Sequence, residues 1–278
     1  MDLFIVGMFL AAMAAGLLGA LAGLGGGILI VPLLTIGFGF DIRFAIGASI
    51  VSVIATSSGA GAAYVRDHLT NVRVAMLLEL ATATGALSGA IIAGLINARI
   101  LFVLFGVVLL ASVATMVRRL GEDLPGDVRD DAIARRLKLA SSYPDRALGQ
   151  AVPYQVTGVP MGFGMMYVAG IVSGLLGIGS GVLKVLAMDN AMRLPMKVST
   201  ATSNFMIGVT AAASAGVYFW RGDVLPAVAA PVALGVLAGA TVGARMLSRF
   251  SNATVRKIFV PVVAVVAVEM LLRGAGVA

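Results

Sequence analysis

Two ionisable side chains sit inside otherwise apolar stretches of this chain, and both have the chemistry to hold a small ion. Lys184 follows the cluster Gly177-Ile-Gly-Ser-Gly181 by about one helical turn, and Glu79 lies within the apolar run that opens at Val72. An ammonium or carboxylate within a lipid-facing segment is costly, so it is paired, neutralised or functional. A lysine beside a helix start is locally unfavourable unless an anion or an acidic residue offsets it, which makes Lys184 the leading candidate for contacting an anion. Glu79 has two expected roles, pairing with Lys184 or carrying a coupling proton. The bland alternatives are a lysine that snorkels to the headgroups and a carboxylate near the interface.

Hydroxyls and one amide gather near the same places. Ser49, Thr56 and Ser57 follow the first glycine cluster, Gly23-Leu-Gly-Gly-Gly27, while Thr200, Thr202, Ser203 and Asn204 follow the second. Such groups coordinate the oxygens of a sulfonate-like anion without a permanent charge, or they bond their own helix backbone. Expected anion contacts are Gly25, Gly26, Gly27, Ser49, Gly179, Ser180, Gly181, Lys184, Thr202, Ser203 and Asn204, with Glu79 as the ion-coupling group. His68, beside Arg66 and Asp67, reads as a turn residue before it reads as a pH sensor. Arg245 and Glu269 read as groups near helix ends.

The missing residue types narrow the chemistry further. One histidine and no cysteine leave no zinc cluster, disulfide or thiol nucleophile. There is no phosphate-binding Gly-Lys-Ser/Thr loop, and the first glycine cluster lacks the strand setting of a nucleotide fingerprint. No catalytic set, metal or cofactor is expected, so the chain does not read as an enzyme.

The elements that must position these residues are membrane helices. Of 278 residues 60% are hydrophobic and only 12% charged, with a mean hydropathy of +1.03, far from soluble domains. Apolar runs at Phe44–Val65, Val72–Ile96, Ile100–Val117, Val198–Trp220 and Leu225–Leu247 match the length of a membrane helix. Small-residue ridges such as Gly85–Gly89 and Gly235–Gly239 suit close helix packing in lipid. The net charge of +7 is assigned to loops on the cytoplasmic side, and no nucleic acid partner is expected. Met1-Asp2-Leu3 lacks the basic start of a cleaved signal peptide, so the first apolar segment is expected to stay. Residues 118–150 form the one polar excursion, read as a solvated linker in which Asp127–Leu139 has the pattern of a surface helix.

The two sides of that linker repeat. At a constant spacing of 154 residues Gly23 meets Gly177, Val31 meets Val185, Ser49 meets Ser203, Tyr64 meets Tyr218, and Gly89-Ala90 meets Gly243-Ala244. This reads as duplication. In each copy the glycine cluster interrupts a long apolar segment, Leu3–Phe40 and then Met161–Met192. Four glycines in five positions in the first cluster and three in the second each cost a helix interior about 1 kcal/mol relative to Ala, so the helix should break there and expose backbone N–H groups. A side chain at Gly27 or Gly181 is expected to block an anion's approach or to forbid a positive φ.

Gly23-Leu-Gly-Gly-Gly-Ile-Leu-Ile-Val-Pro32, its echo Leu176-Gly-Ile-Gly-Ser-Gly-Val-Leu-Lys-Val185, and the downstream Ala48-Ser49 and Thr202-Ser203-Asn204 resemble the sulfite exporter TauE/SafE family. The resemblance covers nearly the whole chain apart from the linker. It implies export of small sulfur-containing anions such as sulfite, sulfoacetate or other organosulfonates, coupled to an ion gradient. Ser180, Lys184 and Leu186 depart from the glycine-rich, Val-Pro form of the first copy.

The expected architecture is an all-α polytopic membrane protein of two homologous halves, residues 1–117 and 159–278, joined by a cytoplasmic linker at 118–158. It has about eight hydrophobic segments, six crossing fully and two glycine-broken and re-entrant. Re-entrant segments invert the halves and bring Arg193, Lys197, Arg245, Arg249, Arg256 and Lys257 to the linker side, which the positive-inside rule prefers. The length of Leu3–Leu24, about 33 Å as a helix, is the argument for full crossing instead. The expected function is a secondary transporter of a small anion in the bacterial inner membrane. A passive anion channel and a structural membrane subunit are the alternatives. Expected partners are the small anion, the lipid bilayer and, as an option, further copies in a homo-oligomer.

Overall fold

The computed structural model describes residues 2–22, 27–118, 128, 130–145, 150–246 and 252–277. In chain order these form α1 (Asp2–Ala22), α2 (Gly27–Pro32) with a wide π-wound turn at Leu33–Gly37, α3 (Ile42–Arg66), α4 (Val72–Leu95) and α5 (Ala98–Arg118). The linker follows with α6 (Ala132–Arg136), β1 (Ser141–Asp145) and β2 (Gln150–Tyr154). Then come α7 (Val159–Leu176), α8 (Gly181–Leu186) with a second wide turn at Ala187–Ala191, α9 (Met196–Trp220), α10 (Pro226–Met246) and α11 (Asn252–Ala275). Among the described residues four stretches are long and apolar enough to cross a membrane: Leu3–Ala20, Val72–Leu95, Val159–Leu176 and Pro226–Gly243. Gly27–Gly37, Ile42–Ser58 and Ala98–Ala114 are shorter apolar helical stretches. The mostly helical chain is that of a polytopic membrane protein.

Element bounds recur along the chain. Moved by 154 residues, α2 coincides with α8, the first wide turn with the second, and α3 with α9. Packing follows the same pattern: α1 lies along α10 and α7 along α4, while α3 meets α9 and α5 meets α11. The first two contacts are close because glycines make them. A Cβ at Gly235, Gly239 or Gly243 would strike the backbone of Phe9, Met13 or Leu17, and one at Gly85 or Gly89 would strike that of Tyr167 or Ile171. The glycine positions and their partners rise together, so α10 runs parallel to α1 and α4 parallel to α7. Lipid supplies no hydrophobic drive between helices, and such backbone approach supplies the van der Waals attraction in its place.

Both broken segments fold back on themselves. The ring of Phe4, at the start of α1, lies 5.5 Å from that of Phe38 and 6.2 Å from that of Phe40. In the second broken segment the Thr157 N–H donates to the Met192 carbonyl at 3.3 Å, and Gly158 abuts the carbonyl of Ala191. Residues 192 and 157 therefore meet at one end of α7.

Three expectations differ from what is found. The linker is not simply solvated: Ala134, Leu139, Tyr143, Tyr154 and Val156 are buried in one cluster with Val74 and Leu78 of α4, Met166 of α7 and Met206 of α9. Its charged residues fooled composition because a few apolar side chains suffice to dock a short segment. Its described helix is Ala132–Arg136 rather than Asp127–Leu139, begun by Asp131, whose Oδ1 accepts from the Ala134 N–H at 2.7 Å. The fold is also not wholly α-helical, since β1 and β2 pair antiparallel with Ser141 opposite Tyr154.

Candidate functional site

The second glycine cluster ends α7 through backbone conformation. Gly177 and Gly179 have φ of 65° and 70°, and Ser180 follows at 44°. Two glycines in the left-handed region, one on either side of Ile178, stop the helix at little steric cost, whereas a serine there is strained by about 1–2 kcal/mol. Ser180 is held by its Oγ, which donates to the Ala169 carbonyl at 2.7 Å. The positive φ values thus fall at 177, 179 and 180, not at Gly181 or Gly27 as expected. Gly27 and Gly181 are instead helical first residues of α2 and α8, where what matters is room. Gly25 and Gly26 lie outside the described residues.

Ser49 and Ser203, 154 residues apart, make matching contacts. Ser49 Oγ donates to the Gly27 carbonyl at 3.1 Å, and Ser203 Oγ donates to the Gly181 carbonyl at 3.1 Å. Ser49 also reaches the Gly177 carbonyl of the second break at 2.8 Å, so the two breaks meet. Val53 and Ile207, themselves 154 residues apart, fill the space between them. A Cβ on Gly179 would lie 2.7 Å from Ile207 Cγ2 and 3.3 Å from Val53 Cγ1, and one on Gly181 would lie 2.8 Å from Ile207 Cδ1.

One turn into α8 stands Lys184, fully buried. Its Nζ donates to Thr210 Oγ1 of α9 at 2.6 Å. That hydroxyl has two acceptors in reach, Glu79 Oε1 of α4 at 2.7 Å and its own helix's Met206 carbonyl at 2.9 Å. Glu79 is half-buried and its other oxygen, Oε2, is buried without a partner. A buried ammonium and a carboxylate thus share one hydroxyl, with hydrogen-bonding capacity left on both: an ammonium has three N–H groups and a carboxylate about four lone-pair sites. The lysine is enclosed by protein rather than stretched outward.

Other predicted contacts are hydrogen-bonded to the backbone. Thr202 Oγ1 accepts from the Asn71 N–H at 3.1 Å at the start of α4. Asn71 itself caps α4 and donates from Nδ2 to the Leu139 carbonyl and the Tyr154 hydroxyl of the linker, both at 2.8 Å. Burial pushes the Tyr154 hydroxyl above its usual pKa, an effect that its hydrogen bonds with Asn71 and Ser141 oppose. Asn204 bonds back to the Thr200 carbonyl, and Thr56 and Ser57 bond within α3. His68 occupies an exposed turn at φ 56°, and Glu269 pairs with Arg273 at 3.2 Å one turn on. Thr210, Asn71, Val53 and Ile207 were not singled out from sequence. The last two follow from the spacing of 154, but a threonine inside a span most often bonds its own helix, as Thr210 also does.

Asn71 with Thr202 and Glu79 with Thr210 are the same distance apart in sequence, so α4 and α9 run parallel in fixed register. The linker contact therefore sits two helical turns, about 12 Å, from the charged cluster.

Comparison with known proteins places this geometry. The profile described as "Sulfite exporter TauE/SafE" matches residues 8–270. The chain belongs to the TauE/SafE family. It is 28% identical over 268 residues to the probable membrane transporter protein YunE of Bacillus subtilis, covering 94% of each chain. A probable membrane transporter protein of Methanocaldococcus jannaschii is 25% identical over 274 residues, covering 92% of this chain and 91% of that one. The probable membrane transporter protein MamO of Paramagnetospirillum magneticum is 25% identical over 295 residues, covering 96% of this chain but 44% of that protein. No solved structure gives a significant match. This TauE/SafE chain is accordingly a multi-pass membrane protein of a transporter family, and its relatives are named as transporters rather than enzymes.

Proposed function

We propose that this TauE/SafE protein is a secondary transporter that exports a small sulfur-containing anion, such as sulfite, sulfoacetate or another organosulfonate, across the bacterial inner membrane. The observation that carries the reading is Lys184, a fully buried ammonium one turn beyond a helix break and held by a neutral hydroxyl. A buried charge so lightly satisfied is expensive unless it is used. An anion of few atoms with several oxygens suits the spare N–H groups of Lys184, and Glu79 supplies the ion-coupling group. Ser203, Ser180 and the glycines shape the break; their hydroxyl protons point at backbone carbonyls, so they organise the site while Lys184 supplies the charge.

Two inverted halves complete the reading. The coincident element bounds, the parallel pairing of α4 with α7 and α10 with α1, and the return of residue 192 to residue 157 support six crossing segments and two hairpins around the breaks. The docked linker then lies on the cytoplasmic face. Flux from reconstituted vesicles loaded with sulfite, sulfoacetate, taurine or sulfate tests the function. Saturable efflux of sulfite or sulfoacetate is expected, and no protein-dependent flux of any of the four contradicts it.

A further inference from the structure

We propose that a proton and the transported anion bind together at the Lys184–Thr210–Glu79 cluster, the proton on Glu79 and the anion against Lys184, so that both move in the same direction. The inference rests on the transporter reading above and adds the sign of its coupling.

The Thr210 hydroxyl has a single proton. Its oxygen accepts from Lys184 and can donate either to Glu79 Oε1 or to the Met206 carbonyl, at 2.7 and 2.9 Å. While Glu79 is a carboxylate the hydroxyl turns to it, and the ammonium and carboxylate are charge-balanced across one bridging oxygen. An anion entering then would place two negative charges about one buried cation. When Glu79 takes a proton from water, its Oε2, which has no hydrogen-bond partner, can carry it, and the Thr210 hydroxyl can turn to Met206. Lys184 is left as a buried cation without a counter-charge, a state that a low-dielectric interior strongly disfavours. A monovalent anion restores the balance. Each ligand thus raises the affinity for the other, as reciprocal linkage requires.

The charge of the site is unchanged by the exchange, because one proton and one monovalent anion enter together. Transport of a monovalent anion is then electroneutral, net flux follows the product of the anion and proton concentrations, and export runs when the inward excess of anion outweighs an outside-acidic proton gradient. Proton-for-anion exchange would need the two to compete, which this geometry opposes.

The surrounding elements contribute few other titrating groups. On α7 the titratable side chain is Tyr167, whose hydroxyl meets Ser88 at 3.3 Å in an exposed setting. On α9 Lys197 lies in the first turn and Tyr218 is bonded to the Gly174 carbonyl near the far end. On α4 Arg73 bonds the linker's Lys138 carbonyl, and Asp189 lies on the wide turn after α8. Removing Glu79 alone separates its titration from all of these.

The test is calorimetric binding of methanesulfonate to the purified full-length protein from about pH 8 to about pH 5, in paired buffers of different ionisation enthalpy. This probe stays singly ionised throughout. The expected result is uptake of about one proton per anion and an affinity that rises about tenfold per pH unit as pH falls through the range where anion-free Glu79 is ionised. Glu79→Gln, uncharged at every pH, should bind tightly with no proton uptake. Proton release, binding without uptake in the parent, or unchanged uptake in Glu79→Gln overturns the inference. Proton uptake is measured on the parent, so the test does not depend on the variant folding. Sulfite binding at one pH checks the reading beneath it: sulfite exchanges a proton of its own near neutral pH, so only its binding is read; sulfite bound while methanesulfonate binds without proton uptake overturns the coupling alone, and binding of neither anion overturns both.

Discussion

Thr210 of α9 takes a hydrogen bond from the buried ammonium of Lys184 at 2.6 Å and reaches the Glu79 carboxylate at 2.7 Å. A single hydroxyl therefore joins three helices, α4, α8 and α9, none of which carries the cluster alone. Thr210→Val keeps the volume but leaves both charges without this bond, so a loss of about 1–3 kcal/mol in stability is expected. Thr210→Ser keeps the hydroxyl and should stay within about 1 kcal/mol of the parent. Thermal unfolding in detergent compares them, and equal midpoints for Val and Ser would show that the hydroxyl is not holding the cluster.

Lys184→Met alone leaves Glu79 as a half-buried carboxylate without its counter-charge, and Glu79→Gln alone does the same to Lys184. Breaking a buried pair costs about 3–5 kcal/mol, whereas replacing both partners can be near neutral. The double variant Lys184→Met/Glu79→Gln should accordingly unfold at a higher temperature than Lys184→Met. Additive losses in the double-mutant cycle would mean that the two charges do not interact.

The glycine break makes a graded prediction. Gly177→Ala and Gly179→Ala put a Cβ on residues at φ of 65° and 70° and against Ile46 and Ile207, so each should lose about 1–3 kcal/mol and most transport. Gly181→Ala meets only the flexible end of Ile207 and should be milder. Shortening that neighbour in Gly181→Val/Ile207→Ala should recover part of the flux lost in Gly181→Val. No recovery would mean that Gly181 is needed for something other than space.

The linker carries a pH prediction. Asp131 Oδ1 accepts from Ala134 at 2.7 Å and Oδ2 from Val159 at 3.0 Å, tying α6 to the start of α7. Burial alone would raise this carboxyl, but the backbone N–H groups of Ala134, Val159, Ile133 and Gly158 outweigh it and hold the pKa below the usual aspartate value. A depressed folded pKa means that the stabilisation is fully present above the unfolded value, near 3.9, and is lost as pH falls through the folded one. Asp131→Ala should therefore loosen the linker by about 1 kcal/mol near neutral pH, the loss typical of a missing cap. That difference should vanish in strong acid. Limited proteolysis of the linker measures it, and equal cleavage of parent and variant at neutral pH would contradict the staple.

Much of this architecture was legible in residue order because lipid imposes simple rules. Long apolar runs located α4, α9 and α10, and the cost of clustered glycine located the end of α7 at Leu176. The constant spacing anticipated that Ser49 and Ser203 would sit alike, though not that both would donate to the carbonyl that opens the preceding short helix. What residue order hid were contacts between segments. Thr202 belongs with Asn71 at the linker, and Thr210 rather than Thr202 meets Lys184, because the register of α4 against α9 is set by packing. Glu79 and Lys184 were each visible as charges in apolar runs, yet only the fold brings them to one hydroxyl. The docking of Leu139, Tyr143 and Tyr154 escaped notice because charge dominates that stretch.

The proposed export depends on Lys184 holding the anion. Its most direct test is sulfoacetate efflux from vesicles reconstituted with equal amounts of parent protein, Lys184→Arg and the charge-balanced Lys184→Met/Glu79→Gln, each first shown to unfold cooperatively in detergent. The parent should give saturable efflux, the arginine variant a reduced rate because it keeps the cation, and the double variant a rate at the protein-free background. Parent-like efflux from the double variant would place the anion elsewhere and contradict the account.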